Sequence, residues 1–275
     1  MKLQKAVEKA KQNRERAEAL ALEEQLSRKQ QHDAFEASAA IPTDRDGEHT
    51  QRPVLKMPPS ASVQPTIHEP MDCYEALKTN ILARHPGQTI KTILFSGTTH
   101  GDGASTTAIN FATTLARNCR LKVLLIEANF RTSNLHTVFR IGQERGLSDI
   151  MANGDNPDSY IKKVESGSLS VVTAGSKLSG PVSLFESDRF DMFLTSMRAV
   201  FDYIILDGPP VPIFSEARVL CTKVDGVVMV IEAGKTREQV AVRAKKDLEE
   251  AGGKVLGVVL NKRKFQIPRW IYNRL

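Results

Sequence analysis

The chain has 275 residues, 41% of them hydrophobic and 25% charged, with a net charge of +6. That length holds one sizeable α/β domain plus an extension, and the modest positive excess suits an anionic partner such as nucleotide, acidic protein or lipid headgroup. No run approaches the roughly 18 apolar residues of a membrane span, Met1 to Arg16 lacks the apolar core of a signal peptide, and Cys73, Cys119 and Cys221 form no CxxC pair, so the expectation is a reduced cytoplasmic protein, soluble or peripheral to a membrane.

Residues 1–38 are rich in Ala, Glu, Lys, Gln and Arg and contain no Gly or Pro, which predicts a charged helix. Its apolar side is thin, while opposite charges recur at helical spacing (Lys11 with Glu15, Arg14 with Glu18), leaving a solvated or a partner-docking helix as the readings. Residues 39–70 hold Pro42, Pro53, Pro58, Pro59, Pro65 and Pro70 and read as an extended linker. From residue 71 to 265 short apolar strands alternate with helices. A helix over Asp72–Leu82 precedes a strand over Ile90–Phe95, a helix over Ser105–Arg117 and a strand over Lys122–Glu127. A short helical piece over Leu147–Met151, a strand over Leu169–Thr173, one helix over Val182–Val200 and a strand over Tyr203–Leu206 follow. Helices over Ser215–Thr222 and Thr236–Ala251 alternate with strands over Gly226–Glu232 and Val255–Leu260. Nearly continuous apolar strands between helices predict a doubly wound, mostly parallel α/β sheet covered on both faces.

Four stretches carry chemistry. In Thr92–Ala112 a β-branched strand runs into a loop with Gly97, Gly101 and Gly103, and Ser105-Thr106-Thr107 then opens a helix. Strand, glycine loop and helix N-terminus bring backbone N–H groups and the helix dipole onto one anion. Against the pattern GxxxxGK[ST], Thr98 replaces the first glycine and Ala104 stands where the phosphate-reaching lysine belongs, while Ser105 keeps the magnesium-ligand position. The second stretch, Phe201 to Pro210, is an apolar strand ending in Asp207, either a magnesium-orienting carboxylate or a strand cap. The third delivers Glu127 and Asn129 to the same sheet edge, with Arg131 in the loop beyond. In the fourth, Asn261 ends a strand, as a reader of a purine edge or simply a turn former.

In this order and at these separations, the four stretches resemble the bacterial tyrosine kinases of capsule and exopolysaccharide assembly, within the P-loop ATPase branch that includes the chromosome-partitioning ATPases. Leu77-Lys78-Thr79-Asn80, Gly146-Leu147-Ser148-Asp149-Ile150, Thr173-Ala174-Gly175 and Pro181 with Leu184 support the resemblance, which covers residues 71–262. It implies a P-loop NTPase-like fold and binding of ATP with Mg²⁺. It implies Gly101, Asp102, Gly103 and Ala104 in the phosphate loop, Ser105 and Asp207 on the metal, Thr106 beside the α-phosphate, and Arg131 and Asn261 at the nucleotide. It further implies a membrane chain-length regulator (a co-polymerase of polysaccharide assembly) as partner.

The departures from the family pattern bear on activity. The two aspartates of the first acidic motif are Glu127 and Asn129, Thr99 stands where partitioning relatives carry an extra lysine, and the tyrosine-rich tail is reduced to Tyr272. The oligomerisation motif E-x-x-R-x-x-R appears as Asp72, Glu75 and Lys78 with its middle charge reversed, which puts family-type ring assembly in doubt and leaves a homo-oligomer open. Losing one preorganised donor to a developing charge costs about 10² to 10³ in rate, so a lysine and a carboxylate lost together imply an impaired kinase. The rival readings are a slow autokinase with Glu127 as base and Asp207 on the metal, and a partitioning-type ATPase. The tail, 266–275, alternates Arg269 and Arg274 with Trp270, Ile271, Tyr272 and Leu275. It suits an anionic membrane surface or packing back on the domain, and its single Trp argues against nucleic acid.

Overall fold

A computed structural model of the chain describes residues 72–142, 145–164, 168–176 and 180–263. They fall within one unit, Ala61–Leu275, and the expected N-terminal helix (1–38), linker (39–70) and tail (266–275) lie outside the described residues. In chain order the elements are α1 (Asp72–Arg84), β1 (Thr92–Gly97), α2 (Ala104–Arg117), β2 (Val123–Glu127), α3 (Leu135–Phe139) and α4 (Leu147–Asn153). Next come β3 (Lys162–Val164), β4 (Leu169–Val172), α5 (Val182–Phe185), α6 (Asp188–Val200) and β5 (Tyr203–Asp207). The series ends with α7 (Ser215–Lys223), β6 (Gly226–Glu232), α8 (Glu238–Glu250) and β7 (Val255–Asn261).

The seven described strands form one sheet in the order β3-β4-β2-β5-β1-β6-β7. β3 runs antiparallel to β4 and every other neighbouring pair is parallel. All residues of β1 and β2 are buried, as strands covered on both faces must be. Because side chains alternate along a strand, each strand feeds two cores. Ile93, Phe95, Leu125, Ile205 and Val228 point to the side where Phe111 and Leu115 of α2 and Ile81 of α1 pack. Leu94, Leu124, Ile204, Leu206 and Met229 point to the opposite side, against Phe190 and Leu194 of α6, Leu220 of α7 and Leu248 of α8. This is the doubly wound arrangement that the alternation predicts, in the P-loop NTPase-like form that the resemblance implies.

Three details differ from the sequence expectation. The helix expected over Val182–Val200 is two helices, because the Ser187 hydroxyl accepts the Phe190 N–H (3.3 Å) and starts α6 afresh. The antiparallel strand β3 carries Lys162-Lys163-Val164, an exposed edge with no apolar run to announce it. The third is α3, a short helix held from its N-terminus by a buried carboxylate described below.

Parallel pairing brings the C-terminal ends of β1, β2, β5, β6 and β7 to one edge. Phe95 and Glu127 both align with Asp207, and Glu232 aligns with Asn261. Ligands of doubly wound sheets bind along this edge.

Candidate nucleotide site

The phosphate loop, Gly97 to Gly103, is organised from inside by Asp102. Its Oδ2 accepts from the Thr98 amide (2.8 Å), the Thr98 hydroxyl (2.7 Å) and the Thr99 amide (2.8 Å), and its Oδ1 from the Thr99 hydroxyl (2.8 Å). Burial pushes the Asp102 carboxyl up, but the hydroxyl and amide donors of Thr98 and Thr99 outweigh it and hold the group below the usual carboxylate range. Asp102, expected at the nucleotide, is thus the internal brace of the loop. Gly101 (φ 88°) and Gly103 (φ 90°) adopt the left-handed conformation that glycine tolerates, and Gly103 caps α2. No acidic side chain lies in the first turn of α2, so its orphan N–H groups keep their positive end for an anion.

The loop bounds an open cleft of about 280 Å³ lined by Gly101, Gly103, Ser105 and Thr106 on one side and by Asn129, Thr132 and Asn134 on the other. Ala104 lines it with a methyl group where a lysine would have reached in. Asn129 is buried, with its Nδ2 donating to the Thr132 hydroxyl (2.9 Å) and its Oδ1 accepting the Arg131 amide (3.2 Å). Asn261 Nδ2 donates to the Asp102 carbonyl (2.9 Å) and its Oδ1 accepts the Lys262 amide (2.8 Å). Each end of that amide therefore has a partner, one on the loop and one in the turn. Its closeness also explains Gly103, since a Cβ there would meet Asn261 Nδ2 at 2.1 Å. Arg131 donates to buried Glu216 (2.9 Å) and lies 4.9 Å from the centroid of the Phe214 ring, whose other neighbour is His100. The cation is anchored beside the cleft and is not among its lining residues.

Two buried carboxylates sit below the cleft on neighbouring strands. Glu127 is wholly buried and its oxygens take four donors: the amides of Asn134 (2.6 Å) and Leu135 (2.9 Å), the Ser133 hydroxyl (2.8 Å) and the Ala174 amide (2.9 Å). Two of these amides begin α3, where an anion is favoured. The fourth comes from the Thr173-Ala174-Gly175 stretch, whose carbonyls accept the Leu147 and Ser148 amides (2.8 and 3.0 Å). Gly146 is so close that a Cβ would meet the Thr173 carbonyl oxygen at 2.2 Å. Two of the four supporting stretches singled out in the sequence, residues 146–150 and 173–175, are thus one packed unit behind Glu127.

Asp207 is its opposite. It is 1% exposed, and among the described residues no partner reaches Oδ1. Burial drives its pKa up to about 7, a hydrogen bond from the Ser105 hydroxyl pulls it back, and the nearby Glu127 charge adds to the rise. A buried carboxylate oxygen without a partner, beside a hydroxyl in the first turn of α2, is the oxygen set that Mg²⁺ uses when phosphates and waters supply its remaining ligands. The described residues hold no cluster of three or more His, Cys, Asp or Glu side chains, so Mg²⁺ arriving with a nucleotide fits this site better than a metal held by protein alone.

A glycine loop braced from within, a helix N-terminus free of acidic residues and a buried Ser–Asp pair on a doubly wound sheet define a nucleotide-binding fold of the P-loop class. Residues 90–258 match the family described as "AAA domain". Over 190 residues, covering 69% of this chain and 82% of the relative, the sequence is 30% identical to the tyrosine-protein kinase CpsD of Streptococcus agalactiae. The fold is similar to the kinase domain of the Escherichia coli tyrosine kinase ETK, with 26% identity, a TM-score of 0.67 and coverage of 72% and 78% of the two chains. It is similar to the same degree to the chimerical protein CapA2B2, with 26% identity, a TM-score of 0.67 and coverage of 70% and 85%. The chain belongs to the bacterial tyrosine-kinase family of P-loop ATPases.

Proposed function

We propose that this protein is a catalytically impaired member of its family that still binds Mg²⁺ with a nucleotide. Like the capsule and exopolysaccharide kinases it resembles, it would act with a membrane chain-length regulator to control polymer length or export. One observation carries the reading: of the two carboxylates under the cleft, Asp207 retains an unpartnered oxygen beside Ser105, while Glu127 is consumed by four donors. Ser105 and Asp207 would hold the ion, which supplies charge neutralisation to the phosphates. The amides of Gly103 to Thr106 would cradle those phosphates.

Transfer to a tyrosine hydroxyl also needs a base and a charge clamp. Glu127 has no lone pair to spare for a proton, Asn129 is an amide, and Ala104 offers no charge. Each missing electrostatic contribution is worth about 10² to 10³ in rate, although paired losses need not multiply. A role in docking and release is what remains to such a site. The sequence 262–275, with its cationic and aromatic residues, is suited to a partner at the inner face of the membrane.

A second reading has an observation behind it. A carboxylate titrating near 7 is the kind of group that works as a general base at neutral pH, so Asp207 could support slow autophosphorylation of Tyr272. Calorimetry of MgADP and MgATP on the full chain, paired with a radiolabel assay for phosphotyrosine, separates the two. Saturable binding with no phosphotyrosine supports the proposal. Robust autophosphorylation overturns the impairment, and no binding of either nucleotide overturns the site.

A further inference from the structure

The phosphate loop of this chain lacks its lysine, yet a lysine ammonium touches the loop. Lys262 follows the last residue of β7, and its Nζ donates to the Gly101 carbonyl (2.6 Å) from 161 positions away in sequence. Its side chain is about half exposed, and Lys262 is, with His100, a basic residue of the cleft lining. The Cε carbon lies 3.9 Å from where a Cβ on Gly103 would stand, so the stem passes over the glycine that precedes Ala104. We propose that Lys262 is the phosphate-binding lysine of this protein, delivered from β7 in place of the loop lysine that Ala104 replaces. This rests on the reading of the cleft as a nucleotide site.

Three features of the chain place the cation there. Among the described residues Lys262 is one of the few other than glycine with a positive φ (54°), a conformation disfavoured for an L-residue that turns it off the line of the strand. Asn261 holds that turn through the Lys262 amide and at the same time grips the Asp102 carbonyl, which ties the turn to the loop it serves. The ammonium is also available. Its other partner, Glu232 (3.1 Å), is shared with Lys235 (3.2 Å), so one carboxylate faces two cations and a positive charge is left over at the mouth of the cleft. Those two lysines hold the Glu232 carboxyl below its usual range, Lys262 contributing most.

A phosphate arriving at the amides of α2 would exchange a carbonyl and a shared carboxylate for a doubly charged acceptor. The exchange favours the phosphate because it carries about two negative charges, against a neutral carbonyl and a single carboxylate already shared with Lys235. The stem reaches the loop from the β6–β7 side, where a lysine at position 104 would reach from the helix. It would therefore contact the phosphates nearest Gly101, and the family resemblance, which implies Thr106 beside the α-phosphate, makes those the β- and γ-phosphates.

The test is calorimetry of MgADP and of AMP on the full chain and its variants. Lys262→Met should weaken ADP binding about 10- to 100-fold, the usual worth of a charged donor to a phosphate, and leave AMP binding within about threefold. Lys262→Gln keeps a donor for the Gly101 carbonyl but no charge, so an equal loss at an unchanged melting temperature would separate a missing cation from a collapsed loop. Lys262→Arg should recover most of the affinity, and Ala104→Lys should restore it in the Lys262→Met background. Lys254→Met, at the opposite end of β7, is the control for general charge. Binding of ADP by Lys262→Met equal to wild type would overturn the inference while leaving the nucleotide site standing. Absence of ADP binding in wild type would overturn both.

Discussion

Glu127 and Asp207 stand side by side in the register of β2 and β5, at the same sheet edge and the same depth, yet they have been given opposite surroundings. Four donors converge on Glu127, three of them backbone amides whose own hydrogen-bonding needs it meets in turn. Asp207 receives the Ser105 hydroxyl and keeps a bare oxygen. Desolvation penalises both charges, but only the first is compensated within the protein. A carboxylate that is fully compensated holds structure together, and the one left uncompensated is the one proposed to take a cation.

The largest effect should come from removing the compensated one. Glu127→Ala strands four buried donors at once and should cost about 3 to 5 kcal/mol in urea unfolding, the range for breaking a buried ionic network. If Glu127 were a catalytic base with a loosely held side chain, the same substitution would leave the unfolding midpoint near that of wild type.

Asp207→Asn should move stability the other way, by a few kcal/mol at most. The folded-state pKa is raised to about 7 from an unfolded value of 3.8, so this group's contribution is fully present below about pH 4 and is lost as pH rises through 7. The asparagine variant without nucleotide should therefore melt above wild type at pH 8, with the gap narrowing as pH falls below 7 and closing near pH 4. A gap that does not change between pH 8 and pH 4, or a variant that melts lower at pH 8, would mean that Asp207 is compensated after all.

Two glycines sharpen the contrast at about 1 to 3 kcal/mol each. Gly146→Ala should destabilise the unit behind Glu127, where the new Cβ meets the Thr173 carbonyl and the Gly175 amide at 2.2 and 2.5 Å, and leave nucleotide affinity unchanged in the folded fraction. Gly103→Ala should cost a similar amount and also weaken ADP binding, because it displaces Asn261 and forces an L-residue to φ 90° on the loop itself. The smallest effect is expected at Arg131. Arg131→Gln leaves Glu216 without its ion pair, at about 1 to 2 kcal/mol, and should leave ADP affinity as it was, because the guanidinium is held on Phe214 and Glu216.

Most of the sheet was legible because buried parallel strands announce themselves as short apolar runs, and the phosphate loop because its glycines sit between such a run and a Ser-Thr helix start. The edge strand β3, with two lysines in three residues, carries no such mark. The break at Ser187 was hidden by the apolar residues on both sides of it, although Ser before Asp188 is a helix-start signal. The roles at the site were harder to read than its location. Glu127 looks like a candidate base in sequence, because the amides that consume it arrive from residues 134, 135 and 174, through backbone atoms that side-chain chemistry does not reveal. Asp102 reads as a loop residue in sequence, and its inward turn onto Thr98 and Thr99 is a property of the folded loop. Lys262 reads as the first of a run of basic residues, and only the fold brings it to Gly101.

The most direct measurement is the magnesium-dependent part of ADP binding, followed by calorimetry from pH 5.5 to 8 in wild type and in Asp207→Asn. Because a metal ligand must be deprotonated to bind, the magnesium-dependent affinity of wild type should fall by up to about tenfold per pH unit below 7 and level off above it. The asparagine variant should show little magnesium dependence at any pH. Magnesium-dependent binding that is equal in the two proteins, or that is absent from wild type at pH 8, would contradict the assignment of Asp207 and with it the reading of this cleft as a working nucleotide site.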